Sequence, residues 1–267
     1  MKMYRTAIVI LGLALLPQYA AAVDGAVLVS SASASPTPLS APARVANTPL
    51  PGVATSVKRA DFARVPASHG VSHIADWVVD SGDNQGLPFV IVDKTNAKIF
   101  VFDASGRIRG ASPVLLGLAR GDDTVPGIGD RELATIRPEE RTTPAGRFVA
   151  ERGMSTRGVD IVWVDYDSAV SMHRVINSNA KERRLERLAT PTSADNRISY
   201  GCINVPVAFY DKVLNPSFTG TNGIVYVLPE TRPIRQVFGS YDVEERHRYA
   251  VQVPQIAIIA AALPASQ

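Results

Sequence analysis

Short runs of β-branched and aromatic residues recur through the middle of the chain. Residues 88–93 and 97–102 form two such runs, and the polar triplet 94–96 between them predicts a β-hairpin. Gly- and Pro-rich turns separate the later runs, which predicts a mainly β (α+β) domain with a sandwich-like sheet and short helices. Further strands are predicted over 112–118, 147–150, 160–164, 170–173 and 224–228.

Three stretches carry helix signals. Ser72 is placed to cap a short helix over 73–79, and a proline begins the stretch 206–214. The charged segment 178–188 has Ser178 or Asn179 as a cap and an apolar Leu pair at helical spacing. It predicts a surface helix, which is either a solvated connector or a basic patch that grips a substrate.

The two ends of the chain differ from its middle. A basic start precedes an apolar run over 7–16 and three alanines, which predicts a signal peptide, residues 1–22, cleaved after Ala22. A retained anchor is the weaker alternative, because the run is too short to span a bilayer. Residues 23–67 are rich in Ala, Ser and Pro and predict a flexible linker. The domain is expected over 68–239, followed by a tail, 240–267, with no stable membrane span.

Composition narrows the classes of function. The chain is 46% hydrophobic and 20% charged, which is ordinary for a folded domain and excludes wholesale disorder. It has 28 basic and 25 acidic residues, and loss of Lys2 and Arg5 with the signal leaves it nearly neutral. Nucleic-acid binding needs a strongly basic surface, so no nucleic-acid partner is expected.

The chain has one cysteine, Cys202, which therefore forms no internal disulfide. Such a cysteine is a reactive thiol, an intermolecular crosslink or a buried small side chain. It ends the turn Ser199-Tyr200-Gly201-Cys202, which leads toward a predicted helix whose N-terminus can lower a thiol pKa. Gly201 permits a tight turn, and the backbone N–H groups of Tyr200, Gly201 and Cys202 are candidate oxyanion donors.

A thiol nucleophile needs a base, and His173 is the histidine inside the strand-rich region. His69 and His73 lie at the linker edge and His247 lies in the tail. Alone, His173 is an ordinary strand-end histidine, but together with Cys202 it is a candidate base for acyl transfer. The isolated histidines form no cluster at ligand spacing, so neither a metal nor a cofactor is expected.

These residues resemble the signature of the L,D-transpeptidase catalytic domain of the YkuD type. That signature is a strand-borne His, then Ser/Thr-His-Gly-Cys, then Asn or Arg two residues after the Cys. His173, Ser199, Gly201, Cys202 and Asn204 match it. The resemblance covers roughly residues 85–229 and includes the strands at 90–93 and 113–117 and the Thr-Pro-x-Gly-x-Phe element at 143–148.

Three features depart from the family's pattern. Tyr200 replaces the second histidine of the motif, and Arg174 follows the base where the family usually has Gly or Ser. The spacing between His173 and Cys202 is also longer than usual. Both reacting groups are retained, so these departures concern substrate choice and rate.

The resemblance implies a β-sandwich that carries out cysteine acyl transfer on peptidoglycan peptide stems in the periplasm. Cys202 would attack the diaminopimelate carbonyl of a tetrapeptide stem and expel D-Ala, with His173 as base. The acceptor is another stem, a free D-amino acid, a lipoprotein or water. Carbapenems are expected to acylate the thiol, and residues 179–188 to form a lid over or beside the site. The residues expected to bind substrate are Ser199, Asn204, Arg174 and Arg197.

Three alternatives belong to other classes of function. One is a peptidoglycan-binding protein that keeps the fold without turnover. Another is an L,D-carboxypeptidase, in which water resolves the thioester. A third is an exported thiol protein joined to another chain through Cys202, which would appear as a reducible dimer on non-reducing electrophoresis.

Export provides the first prediction. Periplasmic protein is expected to begin at or within about two residues of Val23, because signal peptidase cleaves after small residues such as those at 20–22. N-terminal sequencing of the purified periplasmic fraction measures this directly. Material that begins at Met1 would contradict the prediction.

Overall fold

The computed structural model describes residues 57–249. The predicted signal peptide, residues 1–22, lies outside the described residues, as do the linker up to residue 56 and the tail from residue 250. None of the helices in residues 57–249 is long and apolar enough to cross a bilayer.

The strands are β1 Phe89–Asp93, β2 Lys98–Phe102, β3 Ile108–Pro113, β4 Leu116–Gly117, β5 Gly146–Met154, β6 Asp160–Asp165, β7 Val170–Arg174, β8 Arg197–Ser199, β9 Ile203–Val205 and β10 Gly223–Val227. The α-helices are α1 His69–Ser81, α2 Arg184–Ala189, α3 Val207–Phe209, α4 Asn215–Ser217 and α5 Ile234–Phe238, with a π turn over Tyr210–Leu214 and helical residues at 243–249. Short 3-10 turns cover Ile128–Asp130, Leu133–Thr135, Pro138–Glu140 and Ala180–Glu182.

Eight of these strands form one sheet, in the order β3-β2-β1-β10-β5-β6-β7-β9. Neighbouring strands are antiparallel except for the pairs β1–β10 and β7–β9, which are parallel. The predicted hairpin at 88–102 is confirmed, since Val90 pairs with Val101 and Val92 with Ile99. Strands β4 and β8 form a separate two-stranded sheet.

The large sheet is covered on both faces. Val92 on β1, Val162 on β6 and Ile203 on β9 belong to one buried cluster, together with Tyr210 and Leu214 of the π turn. Strands from both halves of the sheet therefore bury their side chains in the same core. This arrangement confirms the mainly β, sandwich-like fold with short helices that the residue pattern predicts.

The second core lies on the other face of β1. Phe89 and Ile91 pack there with Ile74 and Val78 of α1. Helix α1 begins earlier than predicted, because Ser68, not Ser72, is its cap: Ser68 Oγ accepts from the Val71 amide. Ser72 is already within the first turn.

The edge strand β3 lies N-terminal to its predicted position at 112–118. Most of its residues are small or polar and only Ser112 is buried, so no apolar run marks it. Gly110 lies under a helix, where a Cβ would come 3.0 Å from Phe209 Cε2. Residues 116–117, predicted as part of this strand, pair with β8 instead.

The described part of the predicted linker packs on the domain. The Asp61 amide donates to the Gly106 carbonyl, and the Phe62 ring makes an edge contact with Phe102 at 5.3 Å between centroids. At the other end, Val243 is buried and Tyr241 Oη donates to Asp80. Packed structure therefore extends on both sides of the predicted bounds 68–239.

A buried ionic group joins the loops at one edge of the sheets. Lys94 Nζ lies 2.8 Å from Asp122 Oδ1 and donates to the Thr143 carbonyl at 3.0 Å. Asp122 also accepts from the backbone amides of residues 230–232. The pKa of Asp122 is held well below its usual range, because these donors outweigh the effect of burial, which raises it.

Lys94→Met is expected to destabilise the fold by about 3–5 kcal/mol, because it removes the buried cation and leaves Asp122 with only Arg232, which is half-buried and 3.8 Å away. Lys98→Met is the matched control, since Lys98 is exposed on β2 and should change stability by less than about 0.5 kcal/mol. Urea unfolding measures both. Equal stability of the two variants would contradict a structural role for this ion pair.

Candidate active site

Strand pairing brings the predicted base and nucleophile together. Strand β7 ends with His173 and Arg174, and β9 starts directly after Cys202. The two strands run parallel, with Met172 opposite Ile203 and His173 opposite Asn204. Because side chains alternate along a strand, His173 and Asn204 share the face opposite the core residues Met172 and Ile203.

The Cys202 sulfur lies among polar groups of the β6–β7 hairpin. Sγ is 3.6 Å from Ser171 Oγ and 3.6 Å from the Ala169 carbonyl oxygen. Ser171 is two residues before His173 and therefore projects from the same face of β7. The sulfur therefore lies beside a hydroxyl on the face of β7 that also carries His173.

The His173 ring is held by its own strand. Nδ1 lies 2.8 Å from the Arg174 carbonyl oxygen, which accepts a hydrogen bond only from a protonated Nδ1. In the neutral ring, Nε2 then carries the lone pair and can accept a proton. Asn204 Nδ2 lies 3.4 Å from Nε2.

The two side chains shift each other's pKa. Burial raises the pKa of Cys202, whereas the contacts with His173 and Ser171 lower it, and the net pKa lies below the ordinary value for a thiol. Burial lowers the pKa of His173, whereas the Cys202 sulfur and the Arg174 carbonyl raise it, and the net pKa lies above the ordinary value. Both shifts favour a thiolate beside an imidazolium, the reactive form of a cysteine nucleophile.

Two side chains, one within the turn before Cys202 and one from another part of the chain, hydrogen-bond to the backbone of this turn. Ser199 Oγ donates to the Cys202 carbonyl at 2.6 Å and accepts from the Gly201 amide at 3.1 Å. Thr143 Oγ1 donates to the Gly201 carbonyl at 2.8 Å. Ser199 therefore shapes the turn, and its hydroxyl is occupied within it.

Gly201 is required by the shape of this turn. Its φ is +135°, and a Cβ would lie 2.9 Å from the Thr142 carbonyl oxygen. Its amide already donates to Ser199, which corrects the expectation that it is an oxyanion donor. The amides of Tyr200 and Cys202 have no acceptor among residues 57–249 and remain candidates for that role.

A strand, not a helix, follows the nucleophile. Residues Ile203–Val205 form β9, and the next helix begins at Val207. The expected effect of a helix N-terminus on the thiol is therefore wrong. The β-branched residues at 203 and 205 favour the strand. The contact with His173, and not a helix N-terminus, lowers the pKa of the thiol.

Cys202 and His173 line an open cleft of about 760 Å³. The β5–β6 hairpin forms one wall, and the segment between base and nucleophile forms another. Asn179, Glu182 and Arg184 of the segment 179–188 line this wall, and whether the segment acts as a lid stays a prediction. The lining residues besides the pair include Leu133, Arg157, Val159, Ile161, Trp163, Ile176, Ser178, Asn179, Glu182, Arg184, Tyr200 and Asn204.

Tyr200 stands at the mouth of this cleft, where the family motif has a histidine. Its side chain is 37% exposed, and the Arg141 guanidinium lies 4.0 Å from the centre of its ring. Arg141 is itself held by two hydrogen bonds to the Ile136 carbonyl. A positive group thus lies over an aromatic surface beside the thiol.

Two arginines expected to bind substrate have structural contacts instead. Arg174 lies in the cleft wall, but its guanidinium bonds Asp160 at 2.8 Å and Asp211 at 2.6 Å. Arg197 does not line the cleft: it pairs with Glu230 at 2.7 Å in the buried ionic group. Asn204 does lie in the site, where its amide faces His173.

Sequence reasoning missed two residues of the site. Ser171 could be found from the strand periodicity, because it lies two positions before His173. Arg184 has no signal of its own, since it is one of several arginines in a charged segment, yet its Nη1 lies 2.5 Å from Asn204 Oδ1. Within residues 57–249 no three His, Cys, Asp or Glu side chains cluster as metal ligands do.

Comparison with known proteins gives structural likenesses alone. Neither a family model nor a curated protein matches the chain. Solved structures of L,D-transpeptidases, the family whose signature the sequence resembles, are among those similar to the chain. At the sequence identities of these structures, the similarity bears on the fold alone.

Three of these structures illustrate the likeness. An L,D-transpeptidase from Xylanimonas cellulosilytica is 14% identical, with 53% of this chain and 60% of that chain covered and a TM-score of 0.33. One from Stackebrandtia nassauensis is 17% identical, with 62% and 69% covered and a TM-score of 0.31. An LD transpeptidase in complex with imipenem is 17% identical, with 53% and 58% covered and a TM-score of 0.30. Among such structures the chain spans from 49% to 69% of their length.

Alkylation of the thiol tests the pairing of Cys202 with His173. Since the pKa of Cys202 is lowered, iodoacetamide should react at pH values where an ordinary thiol is protonated. His173→Ala removes the lowering contact, so the rate profile should move to higher pH. The chain's single cysteine makes the label specific, and mass spectrometry across pH 5–9 follows it. His69→Ala is the matched control, and a His173→Ala profile equal to that of the control would contradict the pairing.

Proposed function

We propose that this protein is an exported cysteine acyltransferase of the L,D-transpeptidase type that acts on the peptide stems of peptidoglycan. The observation that carries the proposal is the Cys202–His173 pair, joined by strand pairing in one open cleft. The Ser199, Gly201 and Asn204 positions of the family signature surround the pair and support it.

The first half-reaction forms a thioester. The Cys202 thiolate attacks the diaminopimelate carbonyl of a tetrapeptide stem, and the carbonyl oxygen becomes an oxyanion facing the amides of Tyr200 and Cys202. The intermediate collapses, the C–N bond breaks, and the His173 imidazolium gives its proton to the departing amine of D-Ala. The products are an acyl-enzyme and free D-Ala.

The second half-reaction releases the thiolate. An amine from another stem attacks the thioester carbonyl, its proton passes to His173 Nε2, and the C–S bond breaks. The product is a crosslink between two stems. Water in place of the amine gives the carboxypeptidase reaction, and a free D-amino acid or a lipoprotein amine gives exchange or attachment.

Tyr200 favours one rival function. An aromatic ring under the Arg141 guanidinium lines the same cleft as the thiol, where the motif has a histidine, and a binding surface without turnover could use such a ring. Acylation, however, needs the backbone N–H at this position, and tyrosine supplies that N–H as histidine does. Loss of a donor typically costs about 100- to 1,000-fold in rate, so a substitution that keeps the donor should cost less.

Acylation by a carbapenem tests the proposed function. Intact-mass analysis of the mature protein should show one covalent adduct, because the thiolate opens the strained lactam as it would attack a stem carbonyl. Cys202→Ala should abolish the adduct, and His173→Ala should slow its formation. Mass analysis of products from tetrapeptide-containing peptidoglycan then identifies the acceptor.

The contribution of Tyr200 is measured in the same assay. Tyr200→His should change the rate without creating activity that the wild type lacks, and Tyr249→His, at an exposed position, is the matched control. A wild type that stays unmodified under conditions where Tyr200→His is acylated would reject the enzyme and favour the binding protein.

A further inference from the structure

Arg184 lies in the segment between His173 and Cys202, and its side chain lines the cleft. Arg184 is the first residue of α2, and its side chain is 14% exposed. Its Nη1 donates to Asn204 Oδ1 at 2.5 Å, and its Nε donates to Glu182 Oε2 at 2.5 Å. The guanidinium is therefore held between an anion of its own segment and an amide of the site.

The Arg184 contact decides which end of the Asn204 amide faces His173. The oxygen of the amide points at the guanidinium, so the nitrogen lies 3.4 Å from His173 Nε2 and 3.3 Å from the Cys202 carbonyl oxygen. The opposite orientation would place the NH₂ group against a guanidinium, where both groups are donors. Asn204 is buried, so water cannot replace the lost contacts.

The amide orientation matters for the proton on the ring. A donor at Nε2 favours the neutral tautomer that carries its lone pair there, which agrees with Nδ1–H donating to the Arg174 carbonyl. That tautomer is the one able to accept the thiol proton at Nε2. If the Asn204 amide were reversed, its oxygen would face Nε2 and would favour the tautomer that carries the proton at Nε2.

Packing and hydrogen bonds of the segment between His173 and Cys202 hold Arg184 in this position. Leu188 packs with Leu115, Val175 and Ile198 in a small core of its own. Arg187 donates to the backbone carbonyls of residues 182 and 195, which ties the start of the segment to its end. A segment anchored in this way is a fixed wall of the cleft, in contrast to a lid that must open.

We infer that Arg184 is a positioning residue: it holds the Asn204 amide in the orientation that presents Nδ2 to His173 Nε2 and so sets the tautomer of the base. The inference deepens the proposed function but depends only on the pair itself. The charged groups that act on the ring are the Cys202 thiolate and Arg184, and the other charged side chains that line the cleft are Arg157, Arg174 and Glu182. The positive charge of Arg184 also opposes protonation of the ring.

Nitrogen NMR of the histidine rings tests the inference without a substrate. At a pH above the midpoint of His173, where the ring is neutral, long-range proton–nitrogen spectra of the wild type should show the Nδ1–H tautomer, assigned by comparison with His173→Ala. Arg184→Met should increase the Nε2–H form and raise the pH midpoint of His173, because a donor-oriented amide and an opposing charge are both lost. The carbapenem acylation rate should fall by about tenfold or more, the scale on which groups that orient a functional side chain act.

Two further variants separate positioning from general damage. Arg183→Met is the matched control, because that arginine is exposed and its side chain contacts only Glu186 among residues 57–249; it should leave tautomer and midpoint unchanged. Arg184→Lys keeps the charge but has one nitrogen for two acceptors, so it should show a smaller tautomer change and little change in midpoint. It also provides the test should Arg184→Met fail to fold.

The results separate this inference from the proposed acyl transfer. If Arg184→Met alters the tautomer of His173 but a carbapenem acylates neither the wild type nor any variant, the positioning role is supported and the proposed enzyme activity is rejected. Wild-type tautomer and midpoint in folded Arg184→Met, or in Arg184→Lys where that is the variant that folds, would overturn the inference even if acylation is confirmed. A raised KM for peptide stems with unchanged kcat and unchanged tautomer would instead assign Arg184 to substrate binding.

Discussion

The parallel pairing of β7 with β9 is the constraint on which the site depends. It sets His173 opposite Asn204 and brings Cys202, the residue before β9, beside Ser171. Parallel neighbours need a long connection, and the 175–202 stretch supplies it. The same connection builds one wall of the cleft, so the link between base and nucleophile is also part of their surroundings.

Burial and pairing act in opposite directions on the two reacting groups. An apolar environment alone would keep the thiol protonated and the imidazole neutral. Their mutual contact reverses both effects, and the net pKa of the thiol falls while that of the ring rises. The hydroxyl of Ser171 and the carbonyl of Arg174 complete the pair by supporting the thiolate and the protonated ring, respectively.

The turn that carries Cys202 depends on groups distant in the chain. Thr143 donates to the Gly201 carbonyl, and its own carbonyl accepts from Lys94. The buried ionic group at the edge of the sheets therefore reaches the active-site turn through one threonine. Stability and site geometry are coupled here, and the Thr-Pro element of the family signature lies at the point of coupling.

The sequence alone determined the β-rich class and the β1–β2 hairpin, and it singled out Cys202 and His173 as the candidate pair, because apolar periodicity and rare residue types are local signals. It misplaced β3, ended β5 early at residue 150, although the strand continues to Met154, and missed β9 directly after Cys202, whereas the helix predicted over 206–214 does form from Val207 onward. Neither stretch carries an apolar run, because β3 is mostly small or polar residues and the end of β5 is largely exposed. Only the tertiary structure decided that Arg197 belongs to a buried ion pair and Arg184 to the site, because arginines in charged segments look alike until the fold provides their partners.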